Sequence, residues 1–126
     1  MRDWADRVQA SADQVIAAGG TSREVLVAWL EQFFDHVSRY QGAAAKFGAA
    51  MDDPSSPMHH KCVALGRANR SVLGAVEERG DLREGVDPGQ VMRMVTGVAS
   101  VADQAGLDYE GSRGMLAIVA DGVLRA

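Results

Sequence analysis

The chain has 126 residues, of which 47% are hydrophobic and 24% are charged, with a formal net charge of −4 and a single cysteine. This composition predicts one folded domain over residues 1–126, and the lone cysteine excludes an intrachain disulfide and fits a reducing, cytoplasmic setting. A net negative chain lacks the positive surface needed to bind DNA phosphates unaided, and neither a signal peptide nor a membrane span of roughly 18 apolar residues is expected.

The first predicted helix covers residues 3–18. Its apolar face is narrow and rich in alanine, and two glycines, Gly19 and Gly20, end it. A helix with so little apolar surface is weak by itself, because most helical stability in proteins comes from packing of an apolar face. We therefore expect this helix to be stabilised by packing against the next one.

Residues 22–41 predict the central helix of the domain. Thr21 and Glu24 have the spacing of a capping box at its start, and Gly42 is a stop signal. At about 100° per residue, its apolar side chains fill an arc of roughly 200°, whereas a surface helix carries a stripe roughly 100° wide. This helix should therefore be covered from two sides, as in an all-helical domain.

An aromatic ridge that includes one histidine runs along this helix. Trp29, Phe33, His36 and Tyr40 follow one another at i, i+4, i+7 and i+11. Such a ridge is more often part of a core in which the histidine and the tyrosine are hydrogen-bonded internally. The alternative is one wall of a binding pocket, since such pockets are apolar with a few polar groups.

The middle of the chain predicts a short helix over residues 43–51, a loop with two prolines over residues 52–57, and a long helix over residues 57–79 with Ser56 as its N-cap. The core stripe of the long helix includes one amide, Asn69. A buried amide without a hydrogen-bond partner destabilises a domain by roughly 1–3 kcal/mol. An internal partner is the more common solution, and a ligand is the alternative.

The last two predicted helices run from Pro88, with Asp87 as N-cap, to about residue 105, and over residues 112–125. Their apolar arcs, roughly 180° and roughly 160° wide, exceed what contact with one core needs. A homodimer in which these helices form a four-helix bundle explains the excess; a core that wraps both helices completely is the alternative. The expected interface residues are Val91, Met94, Val95, Val98, Ala102, Met115, Leu116, Val119 and Val123.

Residues with catalytic or metal-binding chemistry are few. His59, His60 and Cys62 suggest a metal, but neighbouring histidines point about 100° apart on a helix and the sequence offers no second group of ligands. Cys62 lies on the core stripe and is expected to be a small buried hydrophobe. The sequence has no nucleotide-binding glycine motif and no nucleophile elbow, and its acidic residues fall at helix ends. No enzyme, metal or cofactor is therefore expected.

The order of five segments resembles that of one known family. WLEQFFDHV, FGAAM, ERGDLREGVDP, VMRMVTGVASVAD and MLAIVADGVLR follow one another along the chain. This order is similar to that of the C-terminal regulatory domain of tetracycline-repressor-type (TetR-family) transcriptional regulators. The resemblance covers nearly the whole chain and is best from Thr21 onward. It implies an all-α fold, an orthogonal or antiparallel bundle of about six helices.

The resemblance also implies a function. The chain would sense a small apolar or aromatic effector, and its last two helices would form a homodimer. DNA would be contacted only through a helix-turn-helix, for which no counterpart precedes residue 3, so the chain is expected to be a piece of a regulator or a regulator-like domain without its DNA-binding part. The effector would favour the form whose DNA-reading helices do not match the half-site spacing. The effector-binding residues so implied are Trp29, Phe33, His36, Tyr40, Phe47, Met51, Met58, Cys62 and Asn69.

Two other functions remain open from the residues alone. One is a stand-alone helical scaffold with a filled core and no ligand. The other is a small helical enzyme that uses His36, which requires a base–nucleophile pair within hydrogen-bond distance. A cavity beside His36 and Asn69 would distinguish effector binding from the scaffold.

Overall fold

The computed structural model describes residues 2–126, and six α-helices make up most of this range. The described residues form no strand; one isolated bridge pairs Leu82 with Leu124. The all-α fold predicted from the sequence is confirmed. None of the six helices is both long and apolar enough to cross a membrane. They are α1 (Arg2–Ala18), α2 (Ser22–Val37), α3 (Ala43–Ala50), α4 (His59–Glu78), α5 (Pro88–Ala105) and α6 (Tyr109–Val123).

Two of the three predicted N-terminal caps, those before α2 and α5, form as their local sequence indicates. Thr21 Oγ1 accepts a hydrogen bond from the Glu24 N–H at 3.1 Å, and the Glu24 carboxylate accepts one from the Thr21 N–H at 2.9 Å, which completes the capping box. Asp87 caps α5 by accepting from the Gly89 N–H at 3.1 Å, with Pro88 in the first turn. The capping box before α2 and the Asp87 cap before α5 are thus confirmed.

The central helix is shorter than predicted. α2 ends at Val37, not at Gln41. The chain then turns through Gly42, whose φ of +85° favours glycine and whose N–H donates to the Asp103 carboxylate of α5 at 2.9 Å. Because this contact holds the turn, Tyr40 leaves the helix and is 52% exposed. The prediction that Tyr40 continues the aromatic ridge is wrong.

Two later helices begin at residues other than those predicted. α4 starts at His59 instead of Pro57, and the prediction that Ser56 is its N-cap is wrong: the N-cap is Met58, and Ser56 Oγ accepts from the Met58 N–H within the turn that precedes the helix. α6 starts at Tyr109, behind an aspartate cap, instead of at Ser112. Apolar periodicity reports only the residues that face the core, so it does not detect a polar first turn.

α6 ends at Val123 instead of Arg125 because the C-terminal residues pair with the connector that follows α4. The Arg125 N–H donates to the Asp81 carbonyl at 2.8 Å, and the Arg83 N–H donates to the Val123 carbonyl at 2.9 Å. This antiparallel pairing holds the connector between α4 and α5 against α6.

α2 lies at the centre of the bundle, in contact with each of the other five helices. Its wide apolar arc is covered from more than one side, as the sequence predicts. α1 packs against α2 and α4, while α5 packs against α2, α3, α4 and α6. The α2 side chains that are at most 2% exposed are Val25, Leu26, Trp29, Leu30, Phe33 and Val37.

One polar side chain in this core joins three helices. The Trp29 indole N–H of α2 donates to Asn69 Oδ1 of α4 at 2.9 Å, and the Asn69 amide donates to the Pro88 carbonyl of α5 at 2.9 Å. Asn69 is 1% exposed. The buried amide therefore has internal partners, the first of the two possibilities that its sequence position left open.

Asn69→Ala should destabilise the domain strongly, because it leaves the Trp29 N–H and the Pro88 carbonyl unpaired in the core. At ~1–3 kcal/mol for each unpaired buried group, we expect the free energy of unfolding to fall by about 2–4 kcal/mol. Urea denaturation at fixed protein concentration, with an unchanged m-value, measures this loss.

The matched control is Ser71→Ala, an exposed position on the same helix, which should stay within about 0.5 kcal/mol of the parent chain. If Asn69→Ala is no more destabilising than Ser71→Ala, the buried hydrogen-bond chain does not hold the three helices together.

Candidate functional site

The aromatic ridge of α2 belongs to the filled core. Trp29 and Phe33 are completely buried, and their rings pack edge to face with centroids 6.1 Å apart. Phe47 of α3 is 3% exposed and packs against Trp4 of α1 at a centroid distance of 6.0 Å. Of the two interpretations of the ridge, its packing fits the core. An effector contact by these residues stays a prediction.

A groove lies between the end of α3, the first part of α4 and the start of α5. Its volume is about 260 Å³, close to the lower limit of roughly 300 Å³ for small-molecule sites. It includes Met51 and Cys62, two of the residues expected to bind an effector, whereas Met58 packs against the core outside it. The residues that line this α3–α4–α5 groove are Met51, His59, Cys62, Val63, Gly66, Arg70, Gly89, Met92 and Arg93.

Gly66 makes room for the groove. It is buried within α4, where glycine costs about 1 kcal/mol relative to alanine. A Cβ added to Gly66 would lie 3.7 Å from Arg70 Nη1 and 3.8 Å from Met92 Sδ. A longer side chain at this position would therefore fill the space between α4 and α5.

Two arginines and an aspartate set the charge of the groove. Arg93 of α5 forms an ion pair with Asp52, which follows α3, at an N–O distance of 2.5 Å. This hydrogen bond and the charge of Arg93 lower the pKa of Asp52. Arg70 belongs to none of the four ion pairs that residues 2–126 form. The uncompensated positive charge at the groove is therefore that of Arg70.

Gly66, Arg70 and Arg93 were not predicted from the sequence to line a site. Charged residues on a helix usually face solvent, so an arginine by itself does not indicate a groove. One signal was available: Cys62, Gly66 and Arg70 follow at i, i+4 and i+8, so a small residue and a cation share a ridge with a core-facing thiol.

A second cleft adjoins the groove between α3 and α5. Its volume is about 420 Å³, and it shares Met51 and Arg93 with the groove. Most of its other lining residues are alanine and glycine, and the Thr96 hydroxyl already donates to the Met92 carbonyl at 2.8 Å. This cleft adds apolar space beside the groove and few polar partners.

His59 and Cys62 have structural partners within the groove. His59 Nδ1 lies 2.9 Å from the Ala50 carbonyl, which can only accept, so Nδ1 carries the proton and ties α4 to the end of α3. The Cys62 thiol donates to the Phe47 carbonyl at 3.6 Å, and burial raises its pKa. A buried, protonated thiol is a poor nucleophile. The predicted role of Cys62 as a small buried hydrophobe agrees with its 5% exposure.

His36 lies apart from the groove, where α1 meets α2. Its Nε2 is 3.2 Å from Ser11 Oγ, and this hydroxyl donates its own proton to the Arg7 carbonyl at 3.0 Å. The Ser11 oxygen therefore accepts from His36 Nε2–H, and Nδ1 is buried without a partner among the residues that the structure describes. The Trp4 ring packs edge to face with the imidazole at 6.1 Å.

This serine–histidine contact does not have the geometry of a nucleophile and its base. A serine nucleophile must donate its proton to the histidine, whereas here His36 is the donor. His36 is also only 6% exposed, so a substrate cannot reach it. Burial first, and the charge of Arg39 second, lower the pKa of His36, which makes the neutral imidazole the stable form near neutral pH.

Most residues expected at a dimer interface are core residues of the single chain. Six of the nine are at most 5% exposed, because α5 and α6 pack against each other and against α2. These six are Val91, Val95, Ala102, Leu116, Val119 and Val123. Their packing fits the core of the single chain, and a contribution of these residues to a dimer interface stays a prediction. Periodicity defined the width of each apolar arc but not how the arc divides between core and surface.

A smaller set of apolar side chains on α5 and α6 faces outward. Val98 and Met115 are half-buried, and Met94 is 52% exposed. Val101 and Ile118, which lie on the same two helices, are 54% and 72% exposed. We call these five residues, Met94, Val98, Val101, Met115 and Ile118, the α5–α6 apolar face.

A protein-family model described as "Transcriptional regulator SbtR-like, C-terminal domain" matches residues 21–125. No curated protein and no solved structure matches the chain significantly. The matched range contains α2 to α6, and with them the α3–α4–α5 groove and the α5–α6 apolar face.

The free energy of unfolding should depend on pH through His36. The pKa of His36 is lower in the folded chain than the ordinary histidine value, so the unfolded chain binds the proton more readily. The stability is fully present above about pH 6.5 and is lost as the pH falls through the lowered pKa, by at most about 1.4 kcal/mol per pH unit. Urea denaturation between about pH 7.5 and about pH 5 measures this slope.

His36→Gln should reduce the slope, because glutamine keeps an N–H donor near Ser11 but does not titrate. His60→Gln, at an exposed position of α4, is the control and should retain the contribution of His36. Identical slopes in His36→Gln and the parent chain would show that His36 is not held neutral by burial.

Proposed function

Because the chain belongs to the family of SbtR-like C-terminal domains of TetR-type transcriptional regulators, we propose that it is the ligand-sensing and dimerisation domain of such a regulator. In the intact regulator, a separate helix-turn-helix domain would contact DNA. The regulator would act in the cytoplasm. The domain itself would catalyse no reaction and need no metal or cofactor.

The observation that carries this proposal is the α5–α6 apolar face. Met94, Val98 and Val101 follow at i, i+4 and i+7 on α5. Met94 also lines a cleft together with Gly122 of α6, so the exposed edges of the two helices adjoin. Clustered large apolar side chains on a surface mark an interaction site, and burying each one stabilises a complex by roughly 1.5–3 kcal/mol.

A second copy of the chain is the partner that this face suits. A two-fold axis brings the same surface of two copies together, and four helices in contact make a bundle. The interface would consist of the α5–α6 apolar face, and the core residues of the same two helices would hold this face in position.

The α3–α4–α5 groove is the proposed effector site. It is apolar, it has room for a small molecule, and it includes Met51 and Cys62. α4 lines the groove and packs against α1, while α5 lines the groove and carries part of the apolar face. An effector that binds one spacing of α4 and α5 better than another would shift the regulator between two states by that difference in affinity.

One observation favours a second candidate function. The interior around Trp29 and Asn69 is filled and internally hydrogen-bonded, which suits a helical scaffold that binds partners through its surface and takes no small ligand. Dimerisation together with small-molecule binding in the groove supports the regulator; a monomer that binds no small molecule supports the scaffold.

The 126-residue chain should sediment as a dimer at micromolar concentration and moderate salt. The proposed interface is apolar, so ionic screening should not dissociate it. Ile118→Asp places an unpaired charge within the interface and should raise the dissociation constant by about 100-fold or more. Sedimentation equilibrium measures both results.

Val63→Asp is the matched control, because Val63 is an exposed apolar residue, 40% accessible, on α4 and away from the α5–α6 apolar face. This variant should remain dimeric. A monomeric parent chain, or equal dissociation constants for the two aspartate variants, would refute the proposed interface.

A further inference from the structure

We propose that the α3–α4–α5 groove binds a small monocarboxylate with an apolar body, and that the Arg70 guanidinium holds its carboxylate. This inference rests on the proposed function, since it names the chemical class of the effector. It concerns the charge and the size of the ligand, neither of which follows from the apolar walls of the groove.

The volume of the groove limits the size of the ligand. About 260 Å³ corresponds to roughly nine water-sized groups at ~30 Å³ each. Benzoate and octanoate, with on the order of ten heavy atoms, have this size. The adjoining cleft shares Met51 and Arg93 with the groove, so a longer apolar chain could extend past that boundary.

The walls of the groove suit an apolar body. Met51, Val63 and Met92 line it from three different elements, together with the thiol of Cys62. Methionine side chains are flexible and polarisable, so they adapt to either an aromatic ring or an alkyl chain. The thiol already donates to a carbonyl of α3 and presents a weakly polar sulfur.

Arg70 supplies the selection for negative charge. Arg70 is an exposed residue, and its Nη1 lies 3.7 Å from the position of a Cβ at Gly66, so the guanidinium borders the groove beside this glycine. Arg93 is neutralised by Asp52, which leaves Arg70 as the unpaired cation of the groove. The planar fork of an arginine matches a carboxylate with two parallel hydrogen bonds.

The neighbouring acids favour a single negative charge on the ligand. Asp52 is paired with Arg93, and Asp87 accepts from the Gly89 N–H at the start of α5. His59 uses its Nδ1 proton on the Ala50 carbonyl. A phosphate dianion would bring two negative charges to one free guanidinium, because Arg93 is already paired with Asp52, whereas a monocarboxylate brings only one.

Isothermal titration calorimetry of the 126-residue chain with three eight-carbon probes tests this inference. Sodium octanoate, octan-1-ol and octylammonium chloride share one apolar chain and differ in charge. Octanoate should bind about 10-fold or more tightly than octanol, because a charge-assisted hydrogen bond adds to the same apolar contact, and octylammonium should bind most weakly.

Two pairs of variants locate the site. Arg70→Gln should weaken octanoate about 10-fold or more and leave octanol unchanged. Arg67→Gln, at a second exposed arginine of the same helix that does not line the groove, should leave both unchanged. Gly66→Leu should abolish binding of both probes by filling the groove. Gly74→Leu is its control on α4, since a Cβ there meets nothing within 4 Å.

The outcomes separate this inference from the proposed function. Equal affinity for octanoate and octanol, with both lost in Gly66→Leu, overturns the selection for charge and leaves a ligand-sensing groove. Octanoate binding that survives both Arg70→Gln and Gly66→Leu overturns the site. Failure of all three probes to bind at millimolar concentration overturns the inference, while the sedimentation experiment still decides the dimerisation function.

Discussion

The hydrogen-bond chain from Trp29 through Asn69 to Pro88 is the interaction on which the arrangement of α2, α4 and α5 depends. Apolar side chains tolerate small shifts between helices, because many packings bury a similar area. A buried amide whose donor and acceptor both have fixed partners tolerates only one register, since any shift leaves polar groups unpaired in the core. The groove between α4 and α5, and the outward face of α5, take their positions from this register.

The same interaction explains why space for a small molecule lies at a groove and not along the aromatic ridge. Trp29 and Phe33 are completely buried, and Asn69 has used both ends of its amide. Elsewhere on α4, Gly66 has no side chain, and a Cβ placed there would lie within 4 Å of both Arg70 and Met92. A ligand bound in this groove would therefore report on the spacing of α4 and α5.

Sequence reasoning succeeded where structure depends on neighbouring residues. The capping box at Thr21 and the aspartate cap at Asp87 follow from local spacing, and the wide arc of α2 correctly indicated a central helix. Prediction from the sequence failed where a contact between distant residues determines the local structure. The end of α2 depends on a hydrogen bond between Gly42 and Asp103, 61 residues apart along the chain. The family resemblance gave the order of helices but could not say which side chains line a groove.

The apolar periodicity of the sequence also could not predict which charged residues line the groove. An arginine at i+8 from a buried cysteine can extend into solvent or fold back over a glycine, and the sequence pattern is the same in both cases. Likewise, the apolar arcs of α5 and α6 are equally wide whether all or part of each arc is buried. Val95 is completely buried and Met94 is half exposed. This difference in exposure depends on where the neighbouring helices lie, which the sequence pattern does not contain.

α5 gives the proposed regulator a physical route between its two sites. Met92 and Arg93 face the groove, while Met94 belongs to the α5–α6 apolar face. The start of α5 is held to Asn69 through Pro88, and its far end is held to the turn after α2 through Asp103. The first bond is buried and costly to break, whereas the second involves a carboxylate at the edge of the bundle. A ligand that separates α4 from α5 would therefore pivot α5 about Pro88, and the displacement would be largest toward Val101. Because interfaces switch between discrete packings, such a pivot would change how two copies pair, and it would also repack the buried side chains Val95, Ala99 and Ala102 of α5.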